Sequence, residues 1–136
     1  MPKMVLTAAY LDLNGQDVSD WTNKIELSAE VEEKDVTTFG SDGWKELLGG
    51  LRSGTLAVEF KNDYDTGSLD ADMWALLGSV VAFSVRPTQA AAGVNNPSYS
   101  GSVLIKEWKP IQGSVGDDAA ASISLPTSGK IERATS

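Results

Sequence analysis

Two stretches of alternating apolar and polar residues decide the fold of this chain. Residues 24–32 read KIELSAEVE, and residues 55–61 read TLAVEFK. Successive side chains of a β-strand point to opposite faces, so each stretch predicts a strand that buries one face and exposes the other. The predicted inward residues are Ile25, Leu27, Ala29 and Val31 on the first strand, and Leu56, Val58 and Phe60 on the second.

The 21 residues between these strands, 33–53, form an excursion that is rich in apolar side chains. Loops longer than about 12 to 15 residues are uncommon in compact domains and are usually functional or disordered. The spacing of Trp44, Leu47 and Leu48 predicts a helix of one or two turns, ended by Gly49 and Gly50. The large apolar residues of the excursion are Phe39, Trp44, Leu47, Leu48 and Leu51.

A hairpin and a helix are predicted on either side of this region. Asn14-Gly15 favours a tight hairpin turn, because this pair tolerates the positive φ angles of a type I′ turn. Residues 68–77 favour a helix that Ser68 can cap and that Gly78 ends. The predicted buried stripe of this helix is Leu69, Met73, Leu76 and Leu77.

The remaining strands complete the expected fold class. Further strands are predicted at residues 80–86, 102–108 and 119–125, with a short one near Ile131. Strands that follow one another with few intervening helices favour antiparallel packing. We therefore expect one mainly β domain over residues 1–136, an antiparallel sandwich or barrel of six to seven strands with one flanking helix and a long hairpin loop.

The composition narrows the function. The chain of 136 residues has no cysteine and no histidine, so the commonest general base, thiolate chemistry and the commonest transition-metal ligands are missing from the sequence. Acidic pairs such as Asp117-Asp118, and a turn at Asp63 that lacks the later ligands of a calcium loop, are typical of solvated surfaces. We expect no enzyme, no cofactor and no metal site.

Charge and hydropathy narrow the partners. The formal net charge of −8 repels phosphate backbones, so we expect no specific nucleic-acid binding. Trp108 lies between Lys106 and Lys109, but a half-buried strand tryptophan is the better interpretation. The sequence has neither a signal-peptide pattern near its start nor the roughly 20 consecutive apolar residues that span a bilayer. We expect a soluble product in the cytoplasm where it is made, without a membrane partner.

Two segments of the excursion carry a resemblance to a known family. Residues 35–46 read DVTTFGSDGWKE, and residues 50–56 read GLRSGTL. These segments, with the order of elements around them, are similar to the tail tube (major tail) proteins of long-tailed bacteriophages, particularly those of actinobacterial hosts. The likeness covers roughly residues 6–125.

The resemblance implies a structural role in a virion tail. In that family, β-sandwich subunits form hexameric rings that stack into a tube, the long loop contacts the neighbouring ring, and DNA passes down the lumen. The implied partners are further copies of the chain and the tail terminator, tape measure and distal tail proteins. The resemblance implies no catalytic residue, and it implies synthesis in the host cytoplasm before assembly into the tail.

Two sets of site residues follow as expectations. The excursion is expected to contact a neighbouring subunit. The alternative is that it folds back onto its own sandwich. The acidic strand face is expected to line the lumen. The alternative is that it is only the polar, solvent-exposed face of a monomer. The contact set is Phe39, Trp44, Leu47, Leu48 and Leu51, and the lumen set is Glu26, Glu30, Glu32 and Glu59.

A rival interpretation from another class also stays open. A virion β-sandwich can bind carbohydrate or a cell surface through tryptophans in its loops. Trp44 and Trp21 would serve that purpose here. Ring or tube formation at high protein concentration separates the two interpretations, because a binding module stays monomeric or trimeric.

Overall fold

A computed structural model describes residues 3–135, and over these residues the chain forms eight strands, one α-helix and two 3-10 turns. Its elements are β1 (Tyr10–Leu13), β2 (Gln16–Asp17), a 3-10 turn (Ser19–Trp21), β3 (Thr22–Asp35), a 3-10 turn (Phe39–Ser41), β4 (Leu47–Lys61), α1 (Leu69–Leu76), β5 (Val80–Arg86), β6 (Ser98–Leu104), β7 (Ala120–Pro126) and β8 (Glu132–Ala134). The one helix within residues 3–135 is too short to cross a membrane.

The strands form two antiparallel sheets with the core between them. One sheet has five strands in the order β2-β1-β5-β6-β8, and the other has three in the order β3-β4-β7. The expected mainly β class is therefore confirmed. Strands β2 and β8 have only two and three residues; they are the second strand of the predicted hairpin and the short strand expected near Ile131, and counting both gives eight strands where six to seven were expected.

Alternation predicted the inward faces correctly wherever a strand lies against the other sheet. Leu56, Val58 and Phe60 of β4 are all buried, and Ile25 and Leu27 of β3 pack against the core while remaining half-exposed. The other buried strand residues are Leu11, Leu13, Val81, Phe83, Val103, Ala121, Ile123 and Leu125.

The hairpin and the helix form where they were predicted. Asn14 and Gly15 have φ values of 56° and 77°, which are the left-handed conformations of a type I′ turn. Helix α1 buries Leu69 and Met73 in the core, whereas the predicted stripe residue Leu77 is 41% exposed because the helix has ended before it.

Trp108 corrects the predicted end of the strand at residues 102–108. Strand β6 ends at Leu104, and Trp108 lies beyond it, buried against Phe60 with 5.9 Å between the ring centroids. Its indole N–H donates a hydrogen bond of 3.0 Å to Asp70, in the first turn of α1. Trp108 therefore ties the segment after β6 to the helix and the core.

The predicted 21-residue loop is wrong. Strand β3 continues to Asp35 and β4 starts at Leu47, so only residues 36–46 form a turn. The predicted short helix at residues 44–48 is absent, because cross-strand pairing of Asp35 with Leu47 and of Lys34 with Leu48 takes these residues into the ladder.

Gly49 and Gly50 lie within β4 and do not end a helix. The register of β3 and β4 shifts between Val31 and Glu33, and the extra residue lies on β4 beside the glycines. A Cβ on Gly49 would lie 3.0 Å from a Val31 methyl, and one on Gly50 would lie 3.2 Å from the Lys34 side chain. Both glycines therefore allow close cross-strand contact at a β-bulge.

Gly54 marks the place where the β3–β4 hairpin leaves the sandwich. A Cβ there would lie 2.5 Å from Ile131 and 2.8 Å from the backbone oxygen of Ser28, so only glycine fits. Thr127 holds this position, since its backbone N–H donates to the Gly54 carbonyl at 3.0 Å and its hydroxyl accepts from the Gly54 N–H at 3.1 Å. Strand β7 pairs with β4 only from Thr55 onward.

Leu56 and Leu51 allow a stability test of this division, because one is fully buried and the other is 80% exposed. We expect Leu56→Ala to lower the free energy of unfolding by about 2 to 5 kcal/mol, because it leaves a cavity. Leu51→Ala should change it by less than about 0.5 kcal/mol. Urea unfolding of dilute monomer measures both, and equal losses would contradict the burial assigned to the two residues.

Candidate protein-interaction surfaces

The first surface is the projecting end of the β3–β4 hairpin, residues 29–53, which we call the arm. Ser41 is the one buried residue in it. Because β7 does not extend along it, the arm is a two-stranded ribbon. Residues 29–35 alone span about 23 Å at about 3.3 Å per residue. The predicted core residue Val31 is consequently 52% exposed, which corrects its assignment.

The turn at the end of the arm, residues 36–46, is built by its own hydrogen bonds; we call it the tip. The Val36 N–H donates to the Glu46 carbonyl at 3.0 Å, and the Glu46 N–H donates to the Thr37 hydroxyl at 2.8 Å. Thr38 and Ser41 form a reciprocal capping box around the 3-10 turn. The tip therefore has a defined shape without contacting the sandwich.

Asp35 anchors the base of the tip. Its carboxylate accepts a hydrogen bond of 2.9 Å from the backbone N–H of Thr37. This bond, with a further one from the Thr37 side chain, holds the pKa of Asp35 below its ordinary value. Asp35 is therefore ionised at neutral pH and adds to the negative charge of the arm.

The expected contact residues are all on the arm and all exposed. Phe39 is fully exposed at 105% and Trp44 is 77% exposed, both on the tip. Leu47 and Leu48 are successive strand residues, so they point to opposite faces of the ribbon and do not form the single stripe that a helix would give. Leu51 lies nearer the sandwich. In the single chain the arm does not fold back to fill its own core, because these five apolar side chains are exposed.

The second surface, which we call the outer sheet face, carries the expected lumen residues and runs along one side of β3 and β4. Glu26 and Glu59 lie on the three-stranded sheet, whereas Glu30 and Glu32 lie on the base of the arm. Glu26 lies opposite Ala57 and Glu30 opposite Ser53, and both carboxylates are exposed. Neither forms an ion pair within residues 3–135. These two residues are the free negative charges of the face.

Glu32 and Glu59 differ from them because both are engaged. Glu32 pairs with Lys34, which the longer β3 places on the same face. Glu59 accepts hydrogen bonds from the Asn23 amide at 2.8 Å and the Ser122 hydroxyl at 3.2 Å, and it lies opposite Lys24. The face is therefore less acidic than alternation over residues 24–32 indicated.

Lys61 and Lys109 add further positive charge to this face or its margin. Lys61 lies 3.3 Å from Asp118, and its hydrogen bond lowers the pKa of that carboxyl. Lys109 and Glu107 come over the edge of β7 to line a shallow depression beside Glu59. Sequence alternation could not identify Glu107 and Lys109 as neighbours of this face, because both lie in the irregular segment after β6.

The two edges of the three-stranded sheet differ. On β7, the backbone N–H groups of Ser122 and Ser124 are covered, since they donate to the Gln112 and Glu107 side chains at 3.0 and 2.9 Å. Strand β3 is the opposite edge, and it has no neighbouring strand there within residues 3–135. A long uncovered edge is a template for pairing with another chain.

The third surface was not predicted. A groove of about 970 Å³ opens between β3 of one sheet and β5, β6 and β8 of the other. Its floor includes Ile25 and Leu27, and the chain's only three arginines, Arg52, Arg86 and Arg133, line it. Their wide separation in the sequence gives no local signal for such a site.

Asp63, from the turn that resembles a calcium loop, and Trp21, a candidate for carbohydrate binding, are hydrogen-bonded to each other. Asp63 accepts hydrogen bonds from the Asp65 N–H at 3.1 Å and the Trp21 indole at 3.1 Å, and these bonds lower its pKa. Trp21 is thereby tied to the turn before α1 and is only half-exposed, in contrast to Trp44. Residues 3–135 contain no group of three or more acidic side chains placed to hold a metal ion.

Comparison with known proteins shows that chains from gene transfer agent particles share this fold. No protein-family model matches the chain, and no curated protein matches it in sequence. A chain from the virion of a native gene transfer agent (GTA) particle matches with a TM-score of 0.70 and 22% identity, over 93% of this chain and 95% of that one. A chain from the tail of an empty GTA particle with C6 symmetry matches with a TM-score of 0.69 and 23% identity, over 92% of each. The tail-like fold that the residues of the arm led us to expect is confirmed.

Hydrogen exchange tests whether the arm is a docking element. Isolated two-stranded hairpins are only marginally stable, so amides of residues 36–50 should exchange much faster in the dilute monomer than those of residues 56–60. In a self-associated form the arm amides should become protected because contacts with a neighbour hold the ribbon closed. Equal strong protection of residues 36–50 in both forms would rule out this role.

Proposed function

We propose that this chain is a structural subunit of a virion tail that assembles through its arm into stacked rings forming a tube. The observation that carries the proposal is a built tip with two fully or largely exposed aromatic side chains, Phe39 and Trp44, on a tail-like fold. The chain acts as a building unit and not as an enzyme.

The exposed aromatics supply the driving force for assembly. A large aromatic side chain buries about 150 to 250 Å² when it is fully covered. At about 25 cal/mol per Å², Phe39 and Trp44 together give roughly 8 to 12 kcal/mol, from which the entropy cost of association is subtracted. Two large aromatic side chains left in water on one short turn support an interaction site there.

The ring is proposed to contain six copies. The tail of the GTA particle with the similar chain has C6 symmetry, which supports a sixfold ring here. The uncovered edge of β3 offers backbone hydrogen bonds to a lateral neighbour, whereas the covered edge of β7 does not. The resemblance further supports contacts with a tail terminator, a tape measure protein and a distal tail protein.

DNA is proposed to pass through the lumen without being bound. Glu26 and Glu30 are the free carboxylates of the outer sheet face, and in a closed ring they would repeat around the wall. Double-stranded DNA carries about one negative charge per 1.7 Å of its axis, so a wall with free carboxylates does not grip it. Glu32 and Glu59 contribute less, because each already has partners.

A surface- or carbohydrate-binding module is the second candidate, and the exposure of Trp44 is the observation that favours it. Trp21 no longer supports it, since its indole is held by Asp63. Electron microscopy of concentrated protein separates the two functions: rings or tubes support the tail subunit, and monomers or trimers that bind glycans support the module.

The tip aromatics give the direct test of assembly. Phe39→Ser combined with Trp44→Ser should abolish tubes while changing the free energy of unfolding of the monomer by less than about 0.5 kcal/mol, because both side chains are exposed. The matched control is Val94→Ser with Val115→Ser, which removes two other exposed apolar side chains, 79% and 107% exposed, outside the arm. Electron microscopy reads out tubes, and normal tubes from the arm variant would contradict the proposal.

The acidic face gives a test of DNA passage. Glu26→Lys with Glu30→Lys should leave tubes nearly normal but slow genome ejection, because lysines lining the wall would bind phosphates through counterion release. Asp20→Lys with Asp65→Lys makes the same charge change at exposed positions off this face. Ejection is measured as DNA release from assembled particles. A tube structure with Glu26 and Glu30 on the outer wall would refute the assignment.

A further inference from the structure

The groove between the sheets has an unusual charge for this protein. Three arginines and Lys130 line it, which is four of the chain's 11 basic residues, and within residues 3–135 no carboxylate is among the lining residues, although Glu132 lies 3.9 Å from Lys130. The rest of the chain is strongly acidic, with a formal net charge of −8 overall. The groove therefore combines an apolar floor with a positive rim.

Two of the arginines are held in place by aromatic residues. The Arg86 guanidinium lies over the Tyr10 ring, 3.8 Å from its centre, and its buried Nε has no hydrogen-bond partner within residues 3–135. The Arg133 Nε donates a hydrogen bond of 3.1 Å to the Tyr99 hydroxyl. Fixed guanidinium groups favour carboxylates, because they present several donors in one plane.

The arm tip has the complementary composition. Residues 36–46 carry two carboxylates, Asp42 and Glu46, and one lysine, Lys45, which already pairs with Glu33 at the base of the tip. The carboxylates of Asp42 and Glu46 form no ion pair within residues 3–135. They flank Trp44 in the sequence, and Phe39 belongs to the same tip.

We infer that the groove receives the arm tip of a second copy of this chain, with Phe39 or Trp44 on the apolar floor and Asp42 and Glu46 at the arginine rim. This inference rests on the proposed function and adds to it the surface that the arm contacts. The volume of about 970 Å³ is at the upper end for sites that enclose a compact ligand, so it has room for an aromatic tip.

A chain cannot fill its own groove. Ala29 and Arg52 at the base of the arm line the groove, while the tip lies about 23 Å away along the paired strands. The contact is therefore between copies, and the surfaces that meet are different. A contact of this heterologous kind repeats in one direction and gives an open stack, not a closed dimer.

Charge exchange between tip and groove tests the inference. The groove variant is Arg52→Glu with Arg133→Glu, two exposed residues, and the tip variant is Asp42→Lys with Glu46→Lys. Each variant alone should raise the protein concentration needed for tubes by at least about 10-fold, because like charges then meet across the contact. An equimolar mixture should recover tubes, since each variant's tip then matches the other's groove.

A matched control separates groove contacts from net charge. Lys3→Glu with Lys106→Glu makes the same change of −4 at two exposed lysines outside the groove and outside the outer sheet face, and it should assemble at the wild-type concentration. Light scattering and electron microscopy measure assembly, and circular dichroism verifies that each variant is folded.

The outcomes distinguish this inference from the proposed function. If the groove variant assembles as the wild type does, the tip docks elsewhere and the inference is overturned while the tail subunit stands. If both variants fail and the mixture does not recover, the groove does not receive the tip and the inference is again overturned. If the wild type forms neither rings nor tubes, the proposed function falls and the inference falls with it.

Discussion

The structure depends on one antiparallel pairing, that of β3 with β4, which continues well past the sandwich. Cross-strand partners run from Thr22 with Phe60 to Asp35 with Leu47. Next to the second sheet, the inward apolar side chains of β4, such as Leu56 and Phe60, are buried. On the arm, residues 29–53, no second sheet within residues 3–135 covers either face. The same ladder therefore serves as the wall of a core at one end and as a free ribbon at the other.

The difference between the core end and the arm end of this ladder determines which apolar side chains can still be removed from water. Within the sandwich, residues such as Leu56 and Phe60 have already left water, so their free energy is committed to folding. On the arm, Phe39 and Trp44 remain in water, and only another molecule can cover them. Folding and the proposed association would thus draw on separate sets of apolar residues, so that covering the arm would not require any part of the core to open.

Alternation predicted the buried residues correctly where a strand has one buried face and one solvent-facing side, as at residues 56–60 and 121–125. It failed on the arm because both faces there are exposed, so the period carries no signal. Trp44, Leu47 and Leu48 happen to share the spacing of a helix, and Gly49-Gly50 at a bulge resembles a helix end. The exposed apolar residues of the arm were nonetheless singled out from the sequence, because the segment between the two strands is rich in large apolar side chains; their contact with a neighbour remains a prediction. Arg52, Arg86 and Arg133 meet only through the topology, which no local pattern encodes.

The arm and the groove lie on different parts of each subunit, and this gives any polymer built through them a polarity. In the proposed stack, the last ring at one end would present unoccupied tips, apolar and acidic. At the other end it presents unoccupied grooves rimmed by arginine. Proteins that finish the two ends must then have opposite chemistry, a basic cleft for one and an acidic projection for the other. A contact of this kind would repeat without limit, so the number of rings in the proposed stack would have to be set by something outside the subunit.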